Sequence, residues 1–229
     1  MIVTIHQPEH LVWLGLLNKI SQADTFVIFD NTQFKKNYFE NRNKIKVKDG
    51  WIWLTVPVKE HSLATHIKDV EISYDKNWKK KYLTSLRQNY SRTKFFDVYY
   101  PRIECIINKN YKLLIDLNLD LLFFLLDAFG IHKNVVKSSE LKLPGGINGG
   151  SDWCLEICKA VRADVYLAGS TAKDYLDEDS FKKSNIKLFF HKFDHPVYNQ
   201  INGDFQPFMS AVDALFNLGE DAKKLVLNS

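Results

Sequence analysis

The sequence has few cysteines and no long apolar run, and both shortages limit what the protein can be. Its three cysteines, Cys105, Cys154 and Cys158, are too few and too irregularly spaced for a disulfide framework. The most apolar stretch, Leu121 to Leu126, is bracketed by aspartates and falls well below the roughly 20 residues of a membrane span. The N-terminal run Ile2 to Ile5 has no basic leader, so we do not expect a secretory signal. These features predict reduced thiols, a cytoplasmic location and no membrane partner.

A strong charge of one sign is also missing. The chain has 31 Lys and Arg against 27 Asp and Glu, a formal net charge of +4. This weak excess does not favour nucleic acid as a partner, and an anionic small molecule fits it equally well. With 229 residues and 45% hydrophobic content, the chain is long enough for a sizeable core, and we expect one domain over residues 1–229.

The N-terminal segment has the pattern of a parallel βαβ unit. Ile2 to Ile5 is an apolar, β-branched run that Pro8 ends, Leu11 to Ile20 has apolar residues at near-helical spacing, and Thr25 to Phe29 is a second apolar run that stops at Asp30. Strands of this type are buried on both faces, and their carboxyl ends line ligand crevices. The sequence therefore predicts a crevice beside His6 and Asp30.

The rest of the chain extends this prediction. Asp49-Gly50 predicts a β-hairpin turn, and Ile67 to Ile72 predicts a short strand. The segment of residues 75–130 has helical periodicity, and Asp164 to Ala168 is another apolar strand, which ends in Gly169-Ser170-Thr171. We predict a single α/β domain with a mixed, largely parallel, Rossmann-like sheet and a helical insertion in the middle third.

Several motifs have a simpler reading beside a functional one. The His6/His10 and His191/His195 spacings would suit zinc on a helix, but the nearby prolines argue against helices, and no metal site is predicted. Cys154 is expected to be a buried thiol, with nucleophilic chemistry as the alternative. The Gly-rich loop of residues 143–150 fits a linker slightly better than a phosphate loop, because it matches neither common fingerprint.

A basic segment with interleaved aromatic residues follows the second strand. Lys35, Lys36, Arg42, Lys44 and Lys46 alternate with aromatic and amide residues such as Phe34, Tyr38, Phe39, Asn41 and Asn43. A solvated basic face is the usual reading of such a run. The interleaving favours a groove that stacks a flat group and holds an anion, as for a nucleotide-linked sugar, although single-stranded nucleic acid also fits.

Many short motifs in one order resemble the WbqC-like family over nearly the whole chain. They are Ile5-His6-Gln7-Pro8, Trp13-Leu14-Gly15, Phe29-Asp30, Gln33-Phe34, Asn41 to Lys46, Trp53 to Val58, Gly169-Ser170, Tyr175-Leu176, His195 to Gln200 and Phe205 to Phe208. The chain departs from the family pattern at His10-Leu11-Val12-Trp13, where Tyr-Leu-Pro-Trp is usual, and at Ala168-Gly169, where Ser-Gly is frequent.

The resemblance implies a bacterial transferase that acts on a nucleotide-linked amino sugar in surface-polysaccharide biosynthesis, with acyl or aminoacyl transfer to the sugar amine. No cofactor is implied beyond an activated acyl or aminoacyl donor, and a carrier protein is a further partner. A nucleotidylyltransferase-like enzyme and a non-catalytic sugar- or carrier-protein-binding module are the alternatives. The sequence leaves the oligomeric state open.

The two halves of this pattern predict one composite site. For catalysis we expect His6 or His195 as the base, Asp30 to orient the amine or the base, and Ser170 to donate to an oxyanion. The predicted substrate-binding residues are Gln7, Lys36, Asn41, Arg42, Lys46, Asp174, Tyr175, Tyr198 and Gln200.

Overall fold

The computed structural model describes residues 1–227, so positions 228 and 229 of the predicted domain lie outside the described residues. Its strands are β1 (Ile2–His6), β2 (Thr25–Ile28), β3 (Arg42–Val47), β4 (Gly50–Thr55), β5 (Asn134–Lys137), β6 (Val165–Ala168) and β7 (Lys187–Phe190). Its helices are α1 (Leu14–Ser21), α2 (Trp78–Tyr90), α3 (Phe96–Asn108), α4 (Leu114–Ala128), α5 (Gly150–Ala160), α6 (Glu178–Lys183), α7 (Ala211–Leu218) and α8 (Lys224–Leu227). Within residues 1–227, no helix combines the length and apolar composition that a membrane crossing needs.

Five strands form one parallel sheet in the order β5-β2-β1-β6-β7, which confirms the predicted α/β fold. From β1 the chain adds β2 and β5 on one side, and it then crosses to the other side for β6 and β7. The strand order therefore reverses between β1 and β6. In doubly wound sheets a crevice opens at the carboxyl ends of the strands at this point, because the connections leave in opposite directions.

Apolar side chains cover both faces of this sheet. Phe26 and Ile28 of β2 face a large core that includes α1, the middle helices and α7. Val27 faces the other way, with Val3 and Ile5 of β1, towards the buried residues of α5 and α6. A parallel strand buried on both faces reads as a continuous apolar run, and this explains the lack of alternation in β1 and β2.

The middle third is helical, as predicted, but the strand expected just before it does not form. Helices α2, α3 and α4 all lie within residues 75–130. The segment Ile67–Ile72 was expected to be a strand, but Ile67–Asp69 is a 3-10 helix and Ile72 makes one isolated bridge to Val58. Ile67 and Val70 are both buried. Their three-residue spacing suits a 3-10 turn, in which positions i and i+3 share a face.

The hairpin of β3 and β4 forms a separate antiparallel sheet that packs on the connection between β1 and α1. Asn43 of β3 is buried, and its Nδ2 donates to the carbonyls of His10 (3.0 Å) and Leu11 (2.9 Å). Leu11 has φ +44°, a left-handed conformation that costs a non-glycine residue roughly 1–2 kcal/mol. The hairpin thus holds a strained turn in place.

A buried carboxylate, Asp213 of α7, ties the C-terminal segment to the core. It accepts hydrogen bonds from the hydroxyls of Tyr90 (2.7 Å) and Tyr198 (2.8 Å) and from Nε2 of Gln200 (2.9 Å). The Tyr90 hydroxyl in turn accepts from the backbone N–H of Lys46 (2.9 Å). Lys46, Tyr198 and Gln200, which were predicted to bind substrate, are therefore parts of a buried network.

We predict that Asp213→Ala destabilises the protein by about 3 kcal/mol or more, because it leaves the buried hydroxyls of Tyr90 and Tyr198 without their acceptor. Urea denaturation followed by circular dichroism measures the loss. The control, Asp221→Ala, removes an exposed carboxylate that pairs with Lys224 and should hardly move the midpoint. Equal midpoints for Asp213→Ala and the wild type would contradict the structural role of this network.

Candidate functional site

Two adjoining cavities of about 540 and 480 Å³ lie at the carboxyl ends of β1 and β6. Both are lined by His6 and Lys19 from one side and by Gly169 and Thr171 from the other, and Tyr38 contributes to both. The β1–β2 ladder runs to His6, whereas the β1–β6 ladder ends at Val3. The two strands thus separate before their ends, and the crevice opens between them.

Three side chains form a hydrogen-bonded row along the crevice. Nζ of Lys19 lies 3.2 Å from Nδ1 of His6 and 3.3 Å from the carbonyl oxygen of Ile5. On the far side of the ring, Nε2 of His6 lies 2.9 Å from Oε1 of Glu9. An amine donates and a carboxylate accepts, so the row places the ring proton on Nε2 and makes Nδ1 the acceptor.

The Lys19 side chain is unusual because it is 3% exposed and forms no ion pair with any residue among 1–227. Burial lowers the pKa of its ammonium to about 8. A neutral lysine amine has two N–H groups, and the Ile5 carbonyl and His6 Nδ1 are two acceptors. The neutral amine would therefore keep its lone pair for the crevice.

His6 is held in a neutral, oriented state. Burial is the main cause that lowers its pKa, and the positive charge of Lys19 adds to it. A third of the side chain (34%) stays exposed to the crevice. Oε2 of Glu9 is buried and has no hydrogen-bond partner among the described residues. Glu9 thus orients the ring through Oε1 alone.

The second cavity has features that suit an anion. Gly150, the first residue of α5, lines it together with Lys19 and Lys35. A helix N-terminus presents free backbone N–H groups, which favour negative charge. A Cβ at Gly150 would lie 3.3 Å from the Tyr175 ring, so a larger residue would crowd this wall. The Gly-rich loop thus ends at the crevice.

Cys154 also lines the second cavity, but its environment favours the neutral thiol. The Tyr166 hydroxyl donates to its sulfur at 3.5 Å. Burial raises the pKa of this thiol above the usual range, and the effects of the tyrosines and Lys19 do not offset it. This supports the expected buried thiol over a nucleophile.

Four of the predicted residues lie in the crevice, and the others lie elsewhere. His6 and Ser170 line the first cavity, and His6, Gln7 and Tyr175 line the second. Asp30 is turned away towards β5. Its carboxylate accepts from the Ser138 hydroxyl (2.9 Å) and from the backbone N–H and hydroxyl of Ser139.

The remaining predicted residues line neither cavity. Asn41 donates to the Val56 carbonyl at 3.0 Å, and Lys36 and Asp174 are exposed. His195 stacks at 6.5 Å from the ring of Trp13, which lines the first cavity, so it contacts the crevice wall from behind. The crevice thus brings together His6 and Gln7 from the first predicted half with Ser170 and Tyr175 from the second, while the other predicted residues line neither cavity.

The sequence reasoning missed Lys19 and Glu9. Lys19 is a single charged residue in the predicted first helix, where a solvated side chain is the usual expectation, yet it lies among buried residues of α1. Asn18 and Ile20, on either side of it, are buried as well. Burial at these successive positions does not follow helical periodicity, so the sequence pattern could not distinguish Lys19 from a solvated lysine. Glu9 stands three residues after His6, a spacing that has little meaning in a turn. Only the tertiary fold brings the three together.

Comparison with known proteins assigns the chain to a family. A model described as "WbqC-like protein family" matches residues 7–225. The chain belongs to this family. A relative from Mycobacterium tuberculosis (strain ATCC 25618 / H37Rv), described as "Uncharacterized protein Rv1507c", is 30% identical over 223 residues, which cover 96% of this chain and 95% of the relative. No solved structure matched the chain. The resemblance seen in the sequence motifs is thus confirmed, with His6, Glu9 and Lys19 inside or next to the matched region.

The buried Lys19 should leave a mark on the pH dependence of stability. Its pKa is about 8 in the folded protein and ordinarily 10.5, so between these values the unfolded chain binds more protons and its stability contribution rises with pH. We predict that Lys19→Met removes this rise and stabilises the protein by about 2 kcal/mol at pH 7.

The measurement is urea denaturation of both proteins at pH 7 to 10. The difference between them isolates Lys19 from other groups that titrate in this range. Lys192→Met, which changes an exposed lysine of the first cavity, is the control and should follow the wild type. A constant difference between wild type and Lys19→Met over this range would rule out the lowered pKa.

Proposed function

We propose that this member of the WbqC-like family transfers an acyl or aminoacyl group to the amine of a nucleotide-linked amino sugar bound in the crevice. The observation that carries the proposal is the Glu9–His6–Lys19 row, which ends in a buried amine facing both cavities. Enzymes tune a lysine towards neutrality by burial when it must accept a proton near neutral pH. The family resemblance supplies the substrate class.

The geometry favours Lys19 over His6 as the proton acceptor. Both ring nitrogens of His6 are engaged, Nε2 by Glu9 and Nδ1 by Lys19. The neutral Lys19 amine has its lone pair unengaged. We assign His6 a positioning role and Lys19 the role of general base, so the proton accepted from the substrate stays at the end of an oriented row.

The reaction balances with an acyl thioester as the donor class. The amine nitrogen of the sugar attacks the acyl carbon, the carbon–sulfur bond breaks, and an amide forms. Lys19 takes the proton that the nitrogen loses, and the leaving thiolate then takes up a proton. Ser170 lines the first cavity, and in this proposal it donates to the carbonyl oxygen as that oxygen gains charge.

The two cavities divide the two substrates between them in this proposal. The second, with Lys35 and the N-terminus of α5, suits the acyl donor, whose sulfur leaves with a negative charge. The first, with Trp13, Tyr38 and Phe39 in its wall, suits a sugar ring packed against aromatic faces. His6 and Lys19 line both cavities and so lie where the sugar amine and the acyl donor would meet.

The test is a thermal-shift screen of nucleotide-linked amino sugars with and without acyl thioesters, followed by mass spectrometry of the hits. Binding to the native state raises the melting temperature by mass action. We expect a hit whose sugar gains one acyl group. Binding of these sugars without turnover, or release of pyrophosphate from a nucleoside triphosphate, would contradict acyl transfer and favour the binding module or the nucleotidylyltransferase-like enzyme.

With a substrate in hand, we predict that kcat/KM rises with pH through an apparent pKa of about 8, because the base must be neutral. Lys19→Arg keeps the positive charge but stays protonated, so it should lose activity at least 100-fold at every pH. His6→Gln should retain more activity and shift the pH profile, since it removes the orienting ring. Lys81→Met changes an exposed lysine of α2 that lines neither cavity, and as the matched control it should keep the wild-type profile. A Lys19→Arg enzyme with normal kcat would refute the assignment.

A further inference from the structure

The outer face of the hairpin has a continuous row of aromatic rings that begins at the crevice. Tyr38 and Phe39 line the first cavity, and their ring centroids are 5.2 Å apart. The row continues from Phe39 to Trp53 at 5.8 Å and from Trp53 to Trp51 at 5.3 Å. We call Tyr38, Phe39, Trp53 and Trp51 the aromatic row. It leads from the crevice wall along β4.

Three cations lie against this row. The Arg42 guanidinium is 4.1 Å from the centroid of the Trp53 ring, and Nζ of Lys44 is 4.3 Å from that of Trp51. Nζ of Lys35 lies 5.7 Å from the Tyr38 ring. The strand register explains the arrangement, because Lys44 pairs with Trp53 and side chains two residues apart share a face.

None of these cations is neutralised by a direct ion pair. Within residues 1–227, neither Lys35 nor Arg42 nor Lys44 pairs with a carboxylate, unlike Lys59, Arg87 and Arg102. The rings hold the cations in place without neutralising them. At the two ends of the row, Tyr38 is 50% and Trp51 is 40% exposed. The surface is therefore both aromatic and positively charged, and it is open to a ligand.

We propose that the aromatic row, with Arg42 and Lys44, binds the base and diphosphate of a nucleoside diphosphate, and so carries the nucleotide half of the substrate into the crevice. The inference rests on the proposed function for the sugar half. A nucleobase stacks on a ring or on a planar guanidinium, and a diphosphate is held by neighbouring cations. The continuity of the row with the first cavity accounts for one ligand that spans both.

The geometry favours a nucleotide over single-stranded nucleic acid because the aromatic row is short and ends at the crevice. A strand-binding groove continues along the backbone over several nucleotides and depends steeply on salt. The net charge of +4 for the whole chain is also small for such a partner.

The probes are the diphosphates of uridine, thymidine, cytidine and guanosine, with inorganic pyrophosphate and a single-stranded oligonucleotide as comparisons, measured by titration calorimetry on the full chain. We expect one nucleoside diphosphate to bind at least tenfold more tightly than pyrophosphate. Trp53→Ala should weaken it about tenfold, and Trp53→Phe should restore most of the affinity. Lys44→Met should weaken it roughly fivefold, while Lys48→Met, an exposed lysine of the same hairpin turn, should not.

Melting temperatures show whether each variant is folded, and Lys44→Met provides an independent test if Trp53→Ala does not fold. Equal binding of pyrophosphate and nucleoside diphosphates, unchanged affinity in both variants, or tighter binding of the oligonucleotide would overturn the proposal. Two measurements separate this proposal from the proposed function: the binding of nucleoside diphosphates to Lys19→Arg and the turnover of the wild-type protein. If the diphosphates bind to Lys19→Arg normally and the wild type shows no turnover, acyl transfer is refuted and the nucleotide-binding site stands. If acyl transfer occurs and nucleoside diphosphates do not bind, the nucleotide-binding site is refuted.

Discussion

The early end of the hydrogen-bond ladder between β1 and β6 is the constraint on which the site depends. Because pairing stops at Val3, the Ile5 carbonyl is available to Lys19, and the Leu167 carbonyl accepts from the Thr4 hydroxyl at 2.8 Å. The opposite ladder holds β1 firmly against β2 up to His6. One strand is thus rigid on one side and open on the other, and its last residues face the crevice with a fixed direction.

The burial of Lys19 illustrates how such a site opposes stability. An ammonium without a counter-ion in a nearly closed position is unfavourable, and its lowered pKa expresses that cost. The protein tolerates it because two acceptors receive its protons and the surrounding core is large. The Asp213 network shows the opposite arrangement, in which the buried carboxylate accepts from two hydroxyls and an amide.

Periodicity and motif order predicted the fold class, the helical middle third and the position of the crevice, since these depend on local patterns and on the rule for parallel sheets. The residues around the crevice were harder to predict. His6 and Ser170 follow apolar strands and were recognisable, but Asp30 also follows a strand and instead binds Ser138 and Ser139. The position of a residue at a strand end predicts which edge of the sheet it lies on, but not the direction of its side chain. Likewise, the position of Lys19 in a helix did not predict that its side chain points into the protein.

The contact of Asn43 with the turn at Leu11 has a consequence for communication within the molecule. Asn43 stands in β3 between Arg42 and Lys44, with its side chain on the opposite face of the strand, and it holds the carbonyls of the strained turn. That turn connects His6 and Glu9 to Lys19 along the chain. A displacement of β3 would therefore move the carbonyls of this turn, so the hairpin is linked through Asn43 to the segment that carries the Glu9–His6–Lys19 row.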